Sequence, residues 1–197
     1  MIKFFRIAKY RQIAKPKEDE YPAYSHIYVD LLNDDDSILD HLNGIFYKLK
    51  KFIHSLPVEM LTYRYAEGKW TIKEVLAHLI DSERIFSYRA LRYARNDSTS
   101  LHAIDQDSYA NFSDANERSL ESIFDEYEAV RRSTVLLFQN LPDKALMRRG
   151  GIRDSDGCVI YERTVRSLAF HIAGHELRHI RIIKEKYLNK PIEEKIL

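Results

Sequence analysis

Cysteine occurs once in this 197-residue chain, at Cys158. A single thiol excludes an internal disulfide and any zinc site built from several thiolates, and it makes a reducing cytoplasm the expected compartment. A lone cysteine beside a turn reads as an inert small residue rather than a nucleophile. An excess of one charge is also missing. Lys+Arg 31 against Asp+Glu 30 leave a formal net charge of +1, so nothing global favours nucleic acid or an anionic membrane as partner. No apolar run approaches the roughly 18 residues that span a bilayer. Residues 1–20, MIKFFRIAKYRQIAKPKEDE, interleave cations throughout and lack the uninterrupted apolar stretch of a secretory signal. They read as a docked or frayed extension. Internal repeats and low-complexity tracts are absent.

What the chain does have is helical periodicity over four long segments. Residues 36–56 carry a stripe of Ile38, Leu42, Ile45, Phe46, Leu49 and Phe52, stopped by Pro57. Residues 71–96 open on a capping box, Thr71-Ile72-Lys73-Glu74, and continue with Val75, Leu76, Leu79, Phe86 and Tyr93 on one face. Residues 116–140 point Leu120, Ile123, Phe124, Tyr127, Val130 and Leu137 inward, with Leu141 just beyond. Residues 164–188 form the last segment, ahead of Pro191. Before it, Asp154-Ser155-Asp156-Gly157 is a turn able to close a short hairpin within residues 152–161. Four amphipathic helices with enough chain for one core predict an all-α four-helix bundle over residues 21–190. Residues 1–20 are then an extension and 191–197 a tail. Connections of about 15–20 residues exceed what a bundle needs, which predicts crossovers or loops that cover a site.

The chemistry concentrates in histidines. His171, His175 and His179 stand four apart on the last segment. On a helix that spacing stacks imidazoles on one face, with Cβ atoms about 6 Å apart, so two can reach one metal ion. Spacing does not choose between His171/His175 and His175/His179; His175 belongs to either pair. His78, among Val75, Leu76 and Leu79, can add a third nitrogen from a facing helix. Any one such histidine reads as a hydrogen-bonded interior or boundary residue. Several together, on a face otherwise made of Leu168, Ile172 and Ile182, are harder to satisfy: an unpartnered buried polar group costs about 1–3 kcal/mol. A metal would satisfy them jointly. Three nitrogens leave positions open for water and substrate, and nickel or zinc suits imidazole where no thiolate is offered. Asp81, Glu83 and Glu176 are candidates for orienting ligands or handling protons, although helix-surface charge is the ordinary role of such carboxylates.

His175-Glu176-Leu177-Arg178-His179 also fits the H-E-x-x-H pattern of zinc peptidases, with Glu176 as base. The longer metzincin pattern fails, because Ile182 and Glu185 occupy its glycine and histidine positions. No strong upstream strands offer a substrate-binding sheet edge either.

One block runs from Tyr63-Arg64-Tyr65-Ala66-Glu67-Gly68-Lys69-Trp70 through Thr71–Val75 into His78-Leu79-Ile80-Asp81-Ser82-Glu83-Arg84. With Tyr88–Arg92, Asp105-Gln106 and Ala173-Gly174-His175-Glu176-Leu177, it resembles the DinB-like (YfiT-like) family of four-helix-bundle metalloproteins, over about Pro22 to Leu188. The resemblance implies that one divalent metal is held by His78, His175 and His179. His171 then falls outside the matched ligand positions, with a packing or orienting role. Arg178 stands where relatives often carry another histidine, and puts a cation beside the metal. Family members include transferases and isomerases that use thiols such as bacillithiol or mycothiol, and proteins described as metal-dependent hydrolases. The resemblance therefore implies a small-molecule substrate, with a low-molecular-weight thiol as one candidate cofactor, and homodimerisation; it assigns no catalytic residue. The competing reading is a non-catalytic helical interaction domain with a structural or vestigial metal. Arg84, Arg89, Arg92 and Arg95 read as a solvated or intrahelically paired face rather than a DNA contact. Residues 105–109 and 152–161 are candidates to line a site entrance.

Overall fold

The computed structural model describes residues 9–189. Four helices carry it: α1 (Ile38–His54), α2 (Ile72–Ala94), α3 (Leu120–Asn140) and α4 (Val165–Ile182). The chain continues α4 through a π-helical stretch, Ile183–Tyr187. Each start has a local cause. The Thr71 hydroxyl accepts from the Glu74 amide (3.1 Å) while the Glu74 carboxylate accepts from the Thr71 amide (2.8 Å), closing the capping box of α2. Thr164 caps α4 through the Ser167 amide. Helix α3 begins later than its periodicity predicts. Asn116 is held by Thr71 and Glu74 across the bundle, so Ala115–Glu117 form a separate 3₁₀ turn, and Ser119 caps the helix through the Ser122 amide.

Helix α2 packs against α3 and α4, and α1 packs against the same two. The consecutive pairs α1/α2 and α3/α4 therefore sit at opposite corners, which is why the connections within those two pairs are long, whereas α2 and α3 are neighbours. The link from α1 to α2 contains the 3₁₀ turn Val58–Thr62, and that from α2 to α3 contains the short helix Gln106–Asn111. The core joins Leu42, Phe46 and Leu49 of α1 to Leu76 and Ile80 of α2, Phe124 and Phe138 of α3, and Leu168 and Phe170 of α4. Burying one side chain of this size contributes about 1.5–3 kcal/mol.

Before α4 lies an antiparallel hairpin, β1 (Arg149–Arg153) and β2 (Val159–Thr164), longer than its turn alone suggests. Gly157 takes the left-handed conformation (φ +82°), and the Asp154 carboxylate accepts from the amides of Asp156 and Cys158. Strand β1 lies flat on α2: a Cβ on Gly150 would overlap the Tyr93 ring. Within the described part of the N-terminal region, Ile13 is buried and bridges to Ser37, and the helical turn His26–Val29 packs on α4. The first eight residues of the expected extension and the expected tail, 191–197, lie outside the described residues. Among those described, no helix is long and apolar enough to cross a membrane.

Candidate metal centre

The facing of α2 and α4 brings three histidines together. The Nε2 atoms of His78 and His175 are 3.2 Å apart, as are those of His179 and His175. The ligand atoms of all three lie within 4.8 Å of one another. A tetrahedral ion with metal–nitrogen bonds of 2.0–2.1 Å would hold its nitrogens about 3.3 Å apart. Protons alone serve this arrangement poorly, because the single lone pair of His175 Nε2 faces two other rings. The three residues therefore fit a divalent ion.

Their electrostatics favour the neutral, ligating form. Burial lowers the pKa of His78 to about 4, with the charge of Asp107 opposing. Burial lowers His179 to about 3, helped by His78 and by the guanidinium of Arg178. His175 is held well below the usual imidazole range by burial and then by the other histidines. At neutral pH each ring keeps a lone pair to offer. Trp70 walls the site, its ring centroid 4.7 Å from that of His78 and stacked nearly parallel over His179 at 6.5 Å. Tyr28 meets His175 edge-on. Beside His179 opens a pocket of about 310 Å³, lined in part by Tyr65, Lys69, Trp70, Asp107 and Tyr187. Asp107 comes from the segment 105–109 expected to line an entrance, which folds into the short helix Gln106–Asn111; residues 152–161 do not line this pocket.

The other candidates lie elsewhere. His171 is buried one turn before His175, with its Nδ1 3.3 Å from the Ser25 hydroxyl and its ring against Tyr28 and Phe86. Asp81 is half-buried and pairs with Arg84. Glu83 and Glu176 both face Arg131, at 2.8 and 2.7 Å. Burial, then the neighbouring charge of Glu83, pushes Glu176 up to about 7 against the pull of Arg131. One Glu176 oxygen is thus committed to a guanidinium, which weakens its candidacy as a peptidase base. Arg178 is half-buried, and its charge reaches His179 and Tyr28.

Residues 46–183 match the sequence model of the DinB superfamily. The chain belongs to that superfamily. A relative in Oceanobacillus iheyensis, provisionally named a metal-dependent hydrolase, is 29% identical over 136 residues, spanning 68% of this chain and 76% of that protein. Among solved structures, YfiT from Bacillus subtilis is described as a probable metal-dependent hydrolase with an unusual four-helix bundle topology. It superposes with a TM-score of 0.66 at 19% identity, covering 80% of this DinB chain and 89% of its own. At that identity the likeness is one of fold.

Sequence reasoning missed Arg131, among the largest fully buried side chains of this DinB bundle. A signal existed: it stands four residues after Tyr127 and seven before Phe138, on the stripe that faces the core.

Proposed function

We propose that this DinB-superfamily protein is a metal-dependent hydrolase of a small-molecule substrate, with one divalent ion, zinc or nickel, held by His78, His175 and His179. The observation that carries the reading is the convergence of three neutral Nε2 atoms from two helices beside an open pocket. The names of the relatives support it. When bound, the ion would supply Lewis-acid polarisation and a more acidic water. The chain's own residues do the rest. Burial keeps the imidazoles unprotonated, and Trp70 shields one side of the site from bulk water. Lys69 and Asp107 put opposite charges on the pocket wall, and Arg178 adds positive potential beside His179. Asp107, whose charge already reaches His78, is our candidate to accept a proton during hydrolysis.

Elemental mass spectrometry on the wild type and on single His78→Ala, His171→Ala, His175→Ala and His179→Ala variants tests the ligand set. About one metal per chain, lost from all but the His171 variant, is expected. Metal retained by the His78 variant removes the cross-helix site. A panel of ester, amide and lactone substrates, run with and without an added low-molecular-weight thiol, tests the reaction. Thiol-dependent turnover replaces the hydrolase with a transferase, and a metal-loaded protein inert to both points to an interaction domain.

A further inference from the structure

Arg163, next to the N-cap of α4, is 1% exposed. Its Nη2 donates to the Tyr24 hydroxyl (2.6 Å) and the Ser25 hydroxyl (3.4 Å). Its Nε and Nη1 are buried without a partner among the described residues. The guanidinium is walled by aromatic rings: Tyr161 at 5.2 Å, Tyr24 at 5.7 Å and Phe86 at 6.0 Å. A second unpartnered donor faces the same place. Tyr93 is 3% exposed, and its hydroxyl has no partner among the described residues. The sheet register brings the two together. Gly150 pairs directly with Arg163, and directly paired residues of an antiparallel ladder project to the same side. On Gly150 that side is the Tyr93 ring.

A second cation adds to the first. Arg89, 6% exposed, lies 5.6 Å from the Phe86 ring and donates to the His102 carbonyl at 3.0 Å. Neither arginine pairs with a carboxylate among the described residues. The charges of both act on Tyr24, Tyr93 and His171. Contrast Arg131, which is equally buried but meets two carboxylates. A buried guanidinium normally has a counter-charge, since burial strips its hydration and aromatic faces restore only part of it.

We infer that Arg163, Arg89 and the Tyr93 hydroxyl form a site for a compact oxyanion, a carboxylate or phosphoryl group, between the hairpin and α2. Guanidinium groups supply the charge-assisted donors such a group needs, and the phenol supplies a neutral one. Tyr24, 46% exposed, sits at the outer edge and offers the way in. The site is distinct from the metal pocket. It abuts His171, whose ring lies 6.1 Å from that of His175, whereas the pocket opens beside His179 at the other end of the ladder.

The test uses the full chain after chelator treatment, so that it does not depend on the metal. Isothermal titration and melting curves are recorded with inorganic phosphate and, separately, with acetate, chloride making up the ionic strength. One saturable site is expected, with a rise in melting temperature beyond that in chloride alone; whichever anion binds tighter identifies the acid group. Arg163→Gln should abolish binding and keep the wild-type metal content on reloading. Tyr93→Phe, which keeps the ring, should weaken binding by about tenfold, the loss of one hydrogen bond to a charged group. Arg149→Gln, on the same hairpin but exposed, should bind as wild type. No saturable binding of either anion to the wild type overturns the inference. So does equal binding by Tyr93→Phe and wild type, a readout that stands even where Arg163→Gln does not fold.

Discussion

The imidazoles of the histidine ladder and His78 are set by burial more than by partners, and that gives the protein a definite response to acid. In the metal-free fold, His78, His171, His175 and His179 all sit below the ordinary imidazole value of 6.5. Between pH 6.5 and about 4 the unfolded chain takes up protons that the folded chain refuses. Their stability contribution is full above that window and falls as pH drops through it, by up to about 1.4 kcal/mol per pH unit for each group. Glu176, raised to about 7, acts in the opposite sense, because its folded form takes a proton first. Four imidazoles outweigh one carboxyl. The melting temperature of chelator-treated protein should therefore fall from pH 6.5 to 4.5. A flat or rising curve over that range would show that the rings are not buried and neutral.

At the scale of elements, glycines separate close contact from open helix. Gly174 lets the turn His26–Val29 approach α4 so closely that a Cβ would overlap the Tyr28 backbone. Gly174→Ala should destabilise by about 1–3 kcal/mol in urea unfolding, as overpacking does. Gly44, mid-α1, has open space among the described residues where a Cβ would stand. There Gly44→Ala should stabilise by about 0.5–1 kcal/mol, since alanine restricts the unfolded chain and favours helix. The same substitution thus changes sign with its surroundings. The capping box of α2 yields a third value: Thr71→Ala should cost about 1 kcal/mol. An unchanged unfolding midpoint for either glycine variant would contradict the packing described.

Across the whole molecule, Arg131 of α3 is the common tie. It donates to the Leu42 carbonyl of α1, to Glu83 of α2 and to Glu176 of α4, so one guanidinium meets every helix of the bundle. Arg131→Met would leave two buried carboxylates facing each other, and should cost about 3–5 kcal/mol in chemical denaturation. Adding Glu176→Gln should recover part of that loss, because one of the two charges is then gone. Removing metal should lower the melting temperature, since an ion bound by His78, His175 and His179 would bind only the folded arrangement of α2 and α4.

The helices were legible from the chain because periodicity is local. Each apolar stripe, the Thr71–Glu74 box and the Asp154–Gly157 turn depend on residues within a few positions of one another, and each appears in the structure. The long connections also told of crossovers before any packing was known. Which histidine pair converges with His78 was open on spacing alone; a resemblance chose it, and the facing of α2 and α4 puts those three nitrogens together. Tertiary structure alone placed Glu83 and Glu176 on Arg131 and left Arg163 Nε and Nη1 without a partner among the described residues. The physical reason is that sequence specifies a side chain's charge and its face on a helix, whereas the partner of a buried charge comes from another element far along the chain. Arg131 and Glu83 are 48 residues apart, and Arg163 and Tyr24 are 139 apart. Only folding brings such pairs together, or fails to.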